Sequence, residues 1–227
     1  MNFDVVTIFP HMFERVFEKG VVGKALECEF VSLKIHNLRD FTTDKHKTVD
    51  DIPYGGGGGL IFKMEPLVRA LRAIQDPKKK SRSILLSPRG KKLDAALVQN
   101  LSQFEQLIIF CGRYEGVDER FSAYVDDEIS IGDYVLSGGE LAAMVMVDAV
   151  SRFIPGVVGK IGAPFEDSFT RGDLEYPYYT RPECFEGNGV PEVLLSGHHE
   201  EIKKWREKEA LKCTLQRRAD LLKKPNT

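Results

Sequence analysis

The stretch Gln106-Leu-Ile-Ile-Phe-Cys-Gly-Arg-Tyr-Glu-Gly116 decides the fold class, because a short apolar run leads directly into a glycine-bounded turn. Such a run is typical of a strand that is buried on both faces of a parallel sheet. Phe3–Phe9 (FDVVTIF) and Ser83–Leu86 have the same character, and Ser87–Gly90 is a predicted turn after the second of them. Helical spacing follows the first run at Met12, Val16 and Phe17, and it occurs again in the segments Met64–Ile74, Leu93–Leu101 and Gly138–Phe153. The alternation predicts an α/β fold with a mostly parallel sheet and helices on both faces.

The composition is that of a globular protein with one large domain, or with one domain and a smaller one. The 227 residues are 42% hydrophobic and 29% charged, and the net charge is −2. A chain with this balance does not bind nucleic acid with its whole surface, so a polyanion would need a local basic patch. The tail at 200–227 has nine Lys/Arg against five Asp/Glu, and a second patch contains Lys78, Lys79, Lys80, Arg82, Arg89, Lys91 and Lys92. Either patch alone is more typical of a solvated surface.

The four cysteines indicate free thiols in a reducing compartment. Cys28, Cys111, Cys184 and Cys213 form no CxxC pair and have no zinc-ligand spacing with the five histidines. The N-terminus lacks the basic segment and the small-residue cleavage site of a signal peptide. No apolar run approaches the roughly eighteen residues that would span a bilayer. We therefore expect a cytoplasmic protein with no membrane partner.

The character of the sequence changes after Ile154. The segment Pro155–Leu195 contains five of the eleven prolines and shows little periodicity. Ser196 can then cap the helix that follows it. We predict an α/β domain at residues 1–160, a linker at 161–175 and a small helical C-terminal domain at 176–227.

Three glycine-, proline- or serine-rich segments lie at the carboxyl ends of predicted strands: Leu85–Pro88, Cys111–Gly116 and Ser130–Gly139. Ligands of open parallel sheets bind at this edge, and glycine lets a backbone approach a ligand closely. The segments predict a cleft lined mainly by backbone, although each of them alone could be a simple turn. A P-loop is absent, and Gly55–Gly59 does not satisfy G-x-G-x-x-G because Leu60 occupies the last glycine position.

Seven motifs occur in a specific order, and the region that they span, residues 50–199, is most of the chain. They are Asp50–Gly57 (DDIPYGGG), Cys111–Arg120 (CGRYEGVDER), Ser130–Glu140 (SIGDYVLSGGE), Ser151–Gly156 (SRFIPG), Glu166–Phe169 (EDSF), Tyr179–Pro182 (YTRP) and Leu195–His199 (LSGHH). With these motifs the chain resembles the tRNA (guanine(37)-N1)-methyltransferase family of the TrmD type, within the knotted SPOUT methyltransferases. Motifs of this length in the family's order make the resemblance highly specific.

The resemblance implies a trefoil-knotted site for S-adenosylmethionine and a homodimer whose active sites are each built from both subunits. Neither composition nor periodicity shows a knot, and chains rarely thread. The family is also thought to use Mg²⁺ near the methionine end of the donor, which makes Glu115 a candidate metal ligand. The donor-binding residues that the resemblance implies are Leu86, Ser87, Pro88, Gly112, Tyr114, Glu115, Ile131, Gly132, Asp133, Tyr134, Val135, Leu136, Gly138 and Gly139.

The implied reaction is methyl transfer to guanine N1, which carries a proton in the neutral base and needs a general base to remove it. The resemblance assigns that base to Asp167. As the proton leaves, negative charge spreads to guanine O6, where a guanidinium can stabilise it. The resemblance assigns this part to Arg152. Without the resemblance, we would interpret Asp167 as a solvated or capping residue, and Arg152 as a cation that interacts favourably with the helix dipole at the end of a helix.

The implied partner is a tRNA with a guanine just 3′ of the anticodon, which the enzyme would flip out of its loop. Asp50, Asp51, Tyr54 and the glycine run would lie near that base. The family commonly has the sequence Gly-Gly-Gly-Pro-Gly-Met at positions 55–60, whereas this chain has Gly58 in place of the proline and Leu60 in place of the methionine. We expect a looser loop, because glycine has more conformational freedom to lose.

The sequence alone does not exclude three other functions. A knotted methyltransferase could act on another RNA position, such as a ribose 2′-OH, and would not need a base at Asp167. A non-catalytic protein could bind RNA or an adenosyl ligand without turning it over. A structural interaction module is the third, although it explains neither the glycine-rich strand ends nor the basic patches.

Overall fold

A computed structural model of the protein describes residues 1–159 and 162–222. The chain divides into two compact units, Met1–Ile161 and Gly162–Thr227. The predicted boundary at residues 160 and 161 lies outside the described residues, as do residues 223–227 of the basic tail.

The first unit contains seven strands, four α-helices and three 3₁₀ turns within its described residues. The strands are β1 (Asn2–Thr7), β2 (Ser32–Asn37), β3 (Asp50–Asp51), β4 (Ile61–Phe62), β5 (Ser81–Lys92), β6 (Gln106–Cys111) and β7 (Asp127–Ser130). The helices are α1 (Gly20–Glu27), α2 (Met64–Ile74), α3 (Ala95–Leu101) and α4 (Glu140–Ser151). The 3₁₀ turns are Pro10–Phe13, Leu38–Phe41 and Glu119–Ala123.

Five of these strands form one parallel sheet in the order β2-β1-β6-β5-β7. The central strand β6 is buried along its whole length. Its Leu107 and Ile109 belong to the core under α1, α3 and α4, while Ile108 and Phe110 belong to the core under α2 and the 3₁₀ turns Leu38–Phe41 and Glu119–Ala123. Apolar side chains therefore project from both faces of the sheet into packed cores, as is usual for strands of a parallel sheet. The predicted α/β fold is confirmed, whereas the knot is not visible in these pairings and is implied by the resemblance alone.

Two predicted elements of the first unit differ from the observed ones. The helical spacing at Met12–Phe17 does not form an α-helix: Glu14 is extended and Arg15 has φ 66°, so α1 begins only at Gly20. The strand predicted at Ser83–Leu86 continues to Lys92. Leu86 and Lys91 both pair with Ile129, so the turn predicted at residues 87–90 is a large bulge within β5.

The bulge in β5 requires a glycine at position 90. A Cβ atom at Gly90 would lie 2.4 Å from the backbone nitrogen of Ile129 and 2.5 Å from the carbonyl carbon of Glu128. These atoms belong to the paired strand β7 and cannot rotate away. Gly90 is therefore required by close backbone approach and not by its φ angle, which is not in the left-handed region.

The second unit is mainly helical in its described residues. It contains α5 (Ala163–Glu166), a two-stranded hairpin of β8 (Cys184–Phe185) and β9 (Asn188–Gly189), α6 (Glu192–Leu195), α7 (His199–Arg217) and a 3₁₀ turn at Ala219–Leu222. The buried hydroxyl of Thr214 accepts a hydrogen bond from the Leu174 backbone at 2.9 Å and donates to Ala210 at 2.7 Å. The predicted cap Ser196 instead follows the last residue of α6, and α7 begins three residues later, at His199.

Membrane insertion finds no support in the helices. None of those in residues 1–159 and 162–222 combines the length and the hydropathy that crossing a bilayer requires.

The replacement Gly90→Ala tests the bulge. We expect it to lower the free energy of unfolding by about 1–3 kcal/mol, because a methyl group is forced into a packed backbone contact. Urea denaturation followed by circular dichroism measures the change. Gly58→Ala is the matched control, since that glycine has open space around it and no left-handed φ, and its stability should not fall. An unchanged midpoint for Gly90→Ala would show that β5 and β7 do not approach as described.

Candidate functional site

A cavity of about 470 Å³ opens at the carboxyl ends of β5, β6 and β7. The three predicted strand-end segments converge there, because neighbouring parallel strands end at the same edge. Of the predicted donor-binding residues, the cavity is lined by Leu86, Ser87, Pro88, Gly112, Tyr114, Glu115, Ile131, Gly132, Tyr134, Val135, Leu136, Gly138 and Gly139. The predicted donor-binding residues did not include other lining residues, among them Arg89, Arg113, Glu119, Ser137 and Ala142.

Asp133 is the one predicted donor-binding residue that does not line the cavity. Its side chain is 91% exposed, and its Oδ2 lies 3.7 Å from Nζ of Lys92. The neighbouring Gly132 has φ 156° and is buried. The loop thus turns a glycine backbone toward the cavity and the carboxylate toward solvent.

Glycines bring two of the strand-end segments into direct backbone contact. The Gly139 N–H donates to the Gly112 carbonyl at 2.9 Å, and Arg113 and Gly138 form an antiparallel bridge. A Cβ atom at Gly139 would lie 2.8 Å from Cα of Cys111. Any side chain at position 139 would therefore push the two segments apart and widen the cavity.

A buried ion pair lies directly behind this backbone contact. The Glu140 carboxylate is fully buried and accepts hydrogen bonds from Thr7 Oγ1 at 2.7 Å and from Arg113 Nε at 3.0 Å. The predicted donor-binding residues included neither Arg113 nor Thr7 nor Glu140. A glutamate in the first turn of a helix usually serves the helix dipole, so its sequence position did not distinguish this role.

Cys111 is not a nucleophile in this environment. Burial raises the pKa of its thiol well above the ordinary value, and the nearby Glu140 carboxylate raises it further. A buried protonated thiol is inert, so Cys111 contributes volume to the core.

The segment that follows the glycine run Gly55–Gly59 is hydrogen-bonded to residues that line the cavity. The Glu115 N–H donates to the Leu60 carbonyl at 3.0 Å, and the Phe62 N–H donates to the Gly116 carbonyl at 3.0 Å. Four of the five glycines have φ between 76° and 119°, and Gly58 is the exception. Position 58 is thus the one where proline, with its fixed negative φ, would disturb the backbone least.

The donor set around Glu115 does not fit a protein-built metal site. Of the residues in 1–159 and 162–222, no three His, Cys, Asp or Glu side chains form a group that could hold a metal ion. Glu119 also lines the cavity, but its Oε2 lies 2.8 Å from Arg89 Nη1. Mg²⁺ needs an octahedral set of oxygen ligands, whereas Glu119 is the one other carboxylate among the described residues that line the cavity. The prediction that Glu115 binds Mg²⁺ gains no support.

The two predicted catalytic residues belong to different units. Arg152 is half-buried at the end of α4 in the first unit. Asp167 is half-buried in the second unit, where it follows α5 with an extended backbone. Each unit by itself therefore carries one of the two predicted groups.

The predicted basic patch at residues 78–92 is divided between the two ends of β5. At the first end, Arg82 Nε donates to Asp127 Oδ2 at 2.6 Å. At the other end, Arg89 pairs with Glu119. The patch was predicted around a short strand. Because β5 has twelve residues, the charges form two groups, and several of them are paired with carboxylates.

Comparison with known proteins identifies the family. The family described as tRNA (Guanine-1)-methyltransferase TrmD matches residues 1–224. The chain is 51% identical over 225 residues to a tRNA (guanine-N(1)-)-methyltransferase of Geobacter metallireducens, covering 99% of this chain and 92% of the relative. It is 53% identical over 224 residues to the protein of the same description from Dictyoglomus turgidum, covering 99% and 91%.

A third relative, from Limosilactobacillus fermentum and of the same description, is 51% identical over 227 residues, covering 98% of this chain and 90% of the relative. The match therefore extends through both compact units. It excludes the structural interaction module and confirms that the chain is an enzyme. The chain belongs to the TrmD family of tRNA (guanine-1)-methyltransferases, as its motifs predicted.

Proposed function

We propose that the protein transfers a methyl group from S-adenosylmethionine to N1 of the guanine at position 37 of tRNA, next to the anticodon. The observation that carries the proposal is the cavity at the carboxyl ends of β5, β6 and β7. Five of its lining residues are glycines, whose accessible backbone suits a ligand recognised through N–H and C=O groups. Membership in the family supplies the reaction class.

The cavity fits the donor in size and chemistry. Its volume of about 470 Å³ is within the roughly 300–1,000 Å³ of small-molecule sites. Leu86, Ile131 and Leu136 offer apolar surface to an adenine ring, and the backbone at residues 131–139 offers the polar groups that can read its edge. Asp133 is the least supported of the donor-binding residues, because its side chain faces solvent.

The chemistry needs one base and one cation. We assign removal of the N1 proton to Asp167 and stabilisation of the charge on guanine O6 to Arg152. The donor supplies an electrophilic methyl group: a bond forms between N1 and the methyl carbon, and the electrons of the broken bond return to sulfur. The Asp167 carboxylate accepts the proton, so the atoms and charges of the reaction balance without a metal. Mg²⁺ is not part of this proposed mechanism, because the described residues form no group of three His, Cys, Asp or Glu side chains that could hold it.

The second unit is the proposed tRNA-binding part, with residues 161–175 as linker and 176–227 as binding domain. Its long helix α7 carries exposed Lys203, Lys204 and Arg217, and Arg218 follows it. Lys204 is hydrogen-bonded to Glu201, and Arg218 to Asp220. Cations at such positions contact phosphates and set the position of an RNA without reading its sequence.

A homodimer is supported by an apolar surface on the first unit. Leu141 and Val145 are exposed although they lie one turn apart on the apolar helix α4. Exposed Met12 and Val21 lie on the neighbouring 3₁₀ turn and on α1, which both pack beside α4. Exposed apolar residues on elements that pack beside one another are typical of an interaction surface. We place this enzyme in the cytoplasm, where its tRNA substrate is found.

Two rival functions predict different products. A methyltransferase of a ribose 2′-OH would yield a methylated sugar and would not depend on Asp167. A non-catalytic binding protein would bind the donor and release it unchanged.

The first experiment incubates the protein with labelled S-adenosylmethionine and tRNA transcripts that have or lack guanine at position 37, and maps the methylated atom. We expect 1-methylguanine only in transcripts that have this guanine. Asp167→Asn should reduce the rate by a factor on the order of 10²–10⁴, the usual contribution of a general base. Asp173→Asn is the control, because Asp173 pairs with Arg171 in the same unit. Methylation of a ribose, or full activity of Asp167→Asn, contradicts the proposal.

The second experiment tests the tRNA surface. Lys203, Lys204, Arg217 and Arg218 changed together to Ala should weaken tRNA binding and flatten its salt dependence by roughly 0.7–0.9 units of slope for each phosphate that the protein no longer neutralises. Filter binding at several salt concentrations measures both. Glu200 and Glu207 changed to Ala form the control, and this loss of negative charge should not weaken binding. Unchanged affinity of the fourfold variant at every salt concentration would remove the second unit from tRNA binding.

A further inference from the structure

We propose that Arg113 and Glu140 are positioning residues for the methyl donor: the pair, oriented by Thr7, fixes the backbone turn at residues 137–139 against which the donor binds. The inference rests on the proposed function, since it assumes that this cavity takes the donor. Arg113, Glu140 and Thr7 do not carry out the chemistry. They would act on the donor through the backbone of Gly138 and Gly139, which line the cavity.

Glu140 is a charged residue in a place that normally excludes charge. It is fully buried at the first position of α4, between the cavity glycines and an apolar helix. Both carboxylate oxygens have a partner, since Oε1 accepts from Thr7 and Oε2 accepts from Arg113. A buried carboxylate is retained only where such partners and the positive end of a helix offset its desolvation.

Arg113 uses its fork of donors to join two chain segments. Nε donates to Glu140 at 3.0 Å and Nη1 donates to the carbonyl of Ser137 at 3.1 Å. The guanidinium carbon lies 4.7 Å from the centre of the Phe9 ring, and Nη2 lies 3.3 Å from the sulfur of Met12. The side chain is only 16% exposed, so these contacts hold it in one orientation.

The glycine next to this fork shows that the turn is built around Arg113. A Cβ atom at Gly138 would lie 2.2 Å from Nε of Arg113. The arginine side chain thus occupies the space that any other residue at position 138 would need. Gly138 lines the cavity on one side and contacts Arg113 on the other, so a shift of the guanidinium is passed to the donor-binding backbone.

Thr7 extends the network to a third chain segment, β1. It is the last residue of β1 and is fully buried. Its hydroxyl donates to Glu140 and accepts from the Phe9 N–H at 2.9 Å. The ends of β1 and β6 and the start of α4 are therefore joined through one carboxylate.

A purely structural role would have a different consequence. Loss of a structural ion pair lowers stability but leaves the affinity of the remaining folded protein unchanged. A positioning role changes the affinity for the donor at temperatures where the variant is fully folded, and it changes KM for the donor more than KM for tRNA.

The test measures binding of S-adenosylhomocysteine by titration calorimetry, well below the melting temperature of each variant. Arg113→Lys keeps the positive charge for Glu140 but cannot donate to Glu140 and Ser137 with one planar fork. We expect Kd to rise about tenfold or more, which corresponds to about 1.4 kcal/mol. KM for the donor should rise in parallel, with KM for tRNA unchanged.

Thr7→Val is the second variant, used because Arg113→Lys can fail to fold. It removes one hydrogen bond to Glu140 at nearly constant volume, and Kd should rise several-fold. The control is Arg82→Lys, because Arg82 makes the same Nε bond to a carboxylate, Asp127, away from the cavity wall. Its Kd should equal that of the wild type.

The outcomes separate the two proposals. If the wild type does not bind S-adenosylhomocysteine, the proposed function fails. If the wild type binds it and a folded Arg113→Lys or Thr7→Val variant binds equally well, the positioning role is overturned while the proposed function stands.

Discussion

The hydrogen bond from the Gly139 N–H to the Gly112 carbonyl, 2.9 Å long, is the contact on which the site depends. It joins the segment that leaves β6 to the turn that begins α4, and it can form only because position 139 has no side chain. The parallel sheet brings the strand ends together, and the absence of Cβ atoms lets their backbones touch. The same constraint recurs at Gly90, where β5 meets β7, and at Gly138, where a side chain from the neighbouring segment fills the space.

Much of this arrangement follows from the sequence. The run at residues 107–110 has no polar residue, so it predicts a strand buried on both faces, and β6 is such a strand. Because parallel strands end at one edge, the three glycine-rich segments predicted a cleft there. The family motifs supplied what periodicity cannot show, which is the identity of the ligand and the roles of Asp167 and Arg152.

Other features could not be predicted because they depend on contacts between distant residues. The spacing of Met12, Val16 and Phe17 indicates a helix, but two of these residues are exposed and Arg15 interrupts the turn. The bulge in β5 is decided by β7, which lies about forty residues later in the sequence. Glu140 is 133 residues from Thr7, and no local pattern connects them. Asp133 was predicted to line the cavity from its position in the loop, yet the loop turns it outward.

Both proposals depend on the methyl donor binding at the carboxyl ends of β5, β6 and β7, where backbone groups would hold it. A crystal structure of the protein with bound S-adenosylhomocysteine shows directly whether it does. We expect electron density for the ligand between Leu86, Gly112 and the turn at residues 131–139, with adenine hydrogen-bonded to main-chain atoms. Density at any other place in the protein, or a ligand held there mainly by side chains, would be incompatible with a backbone-lined donor site.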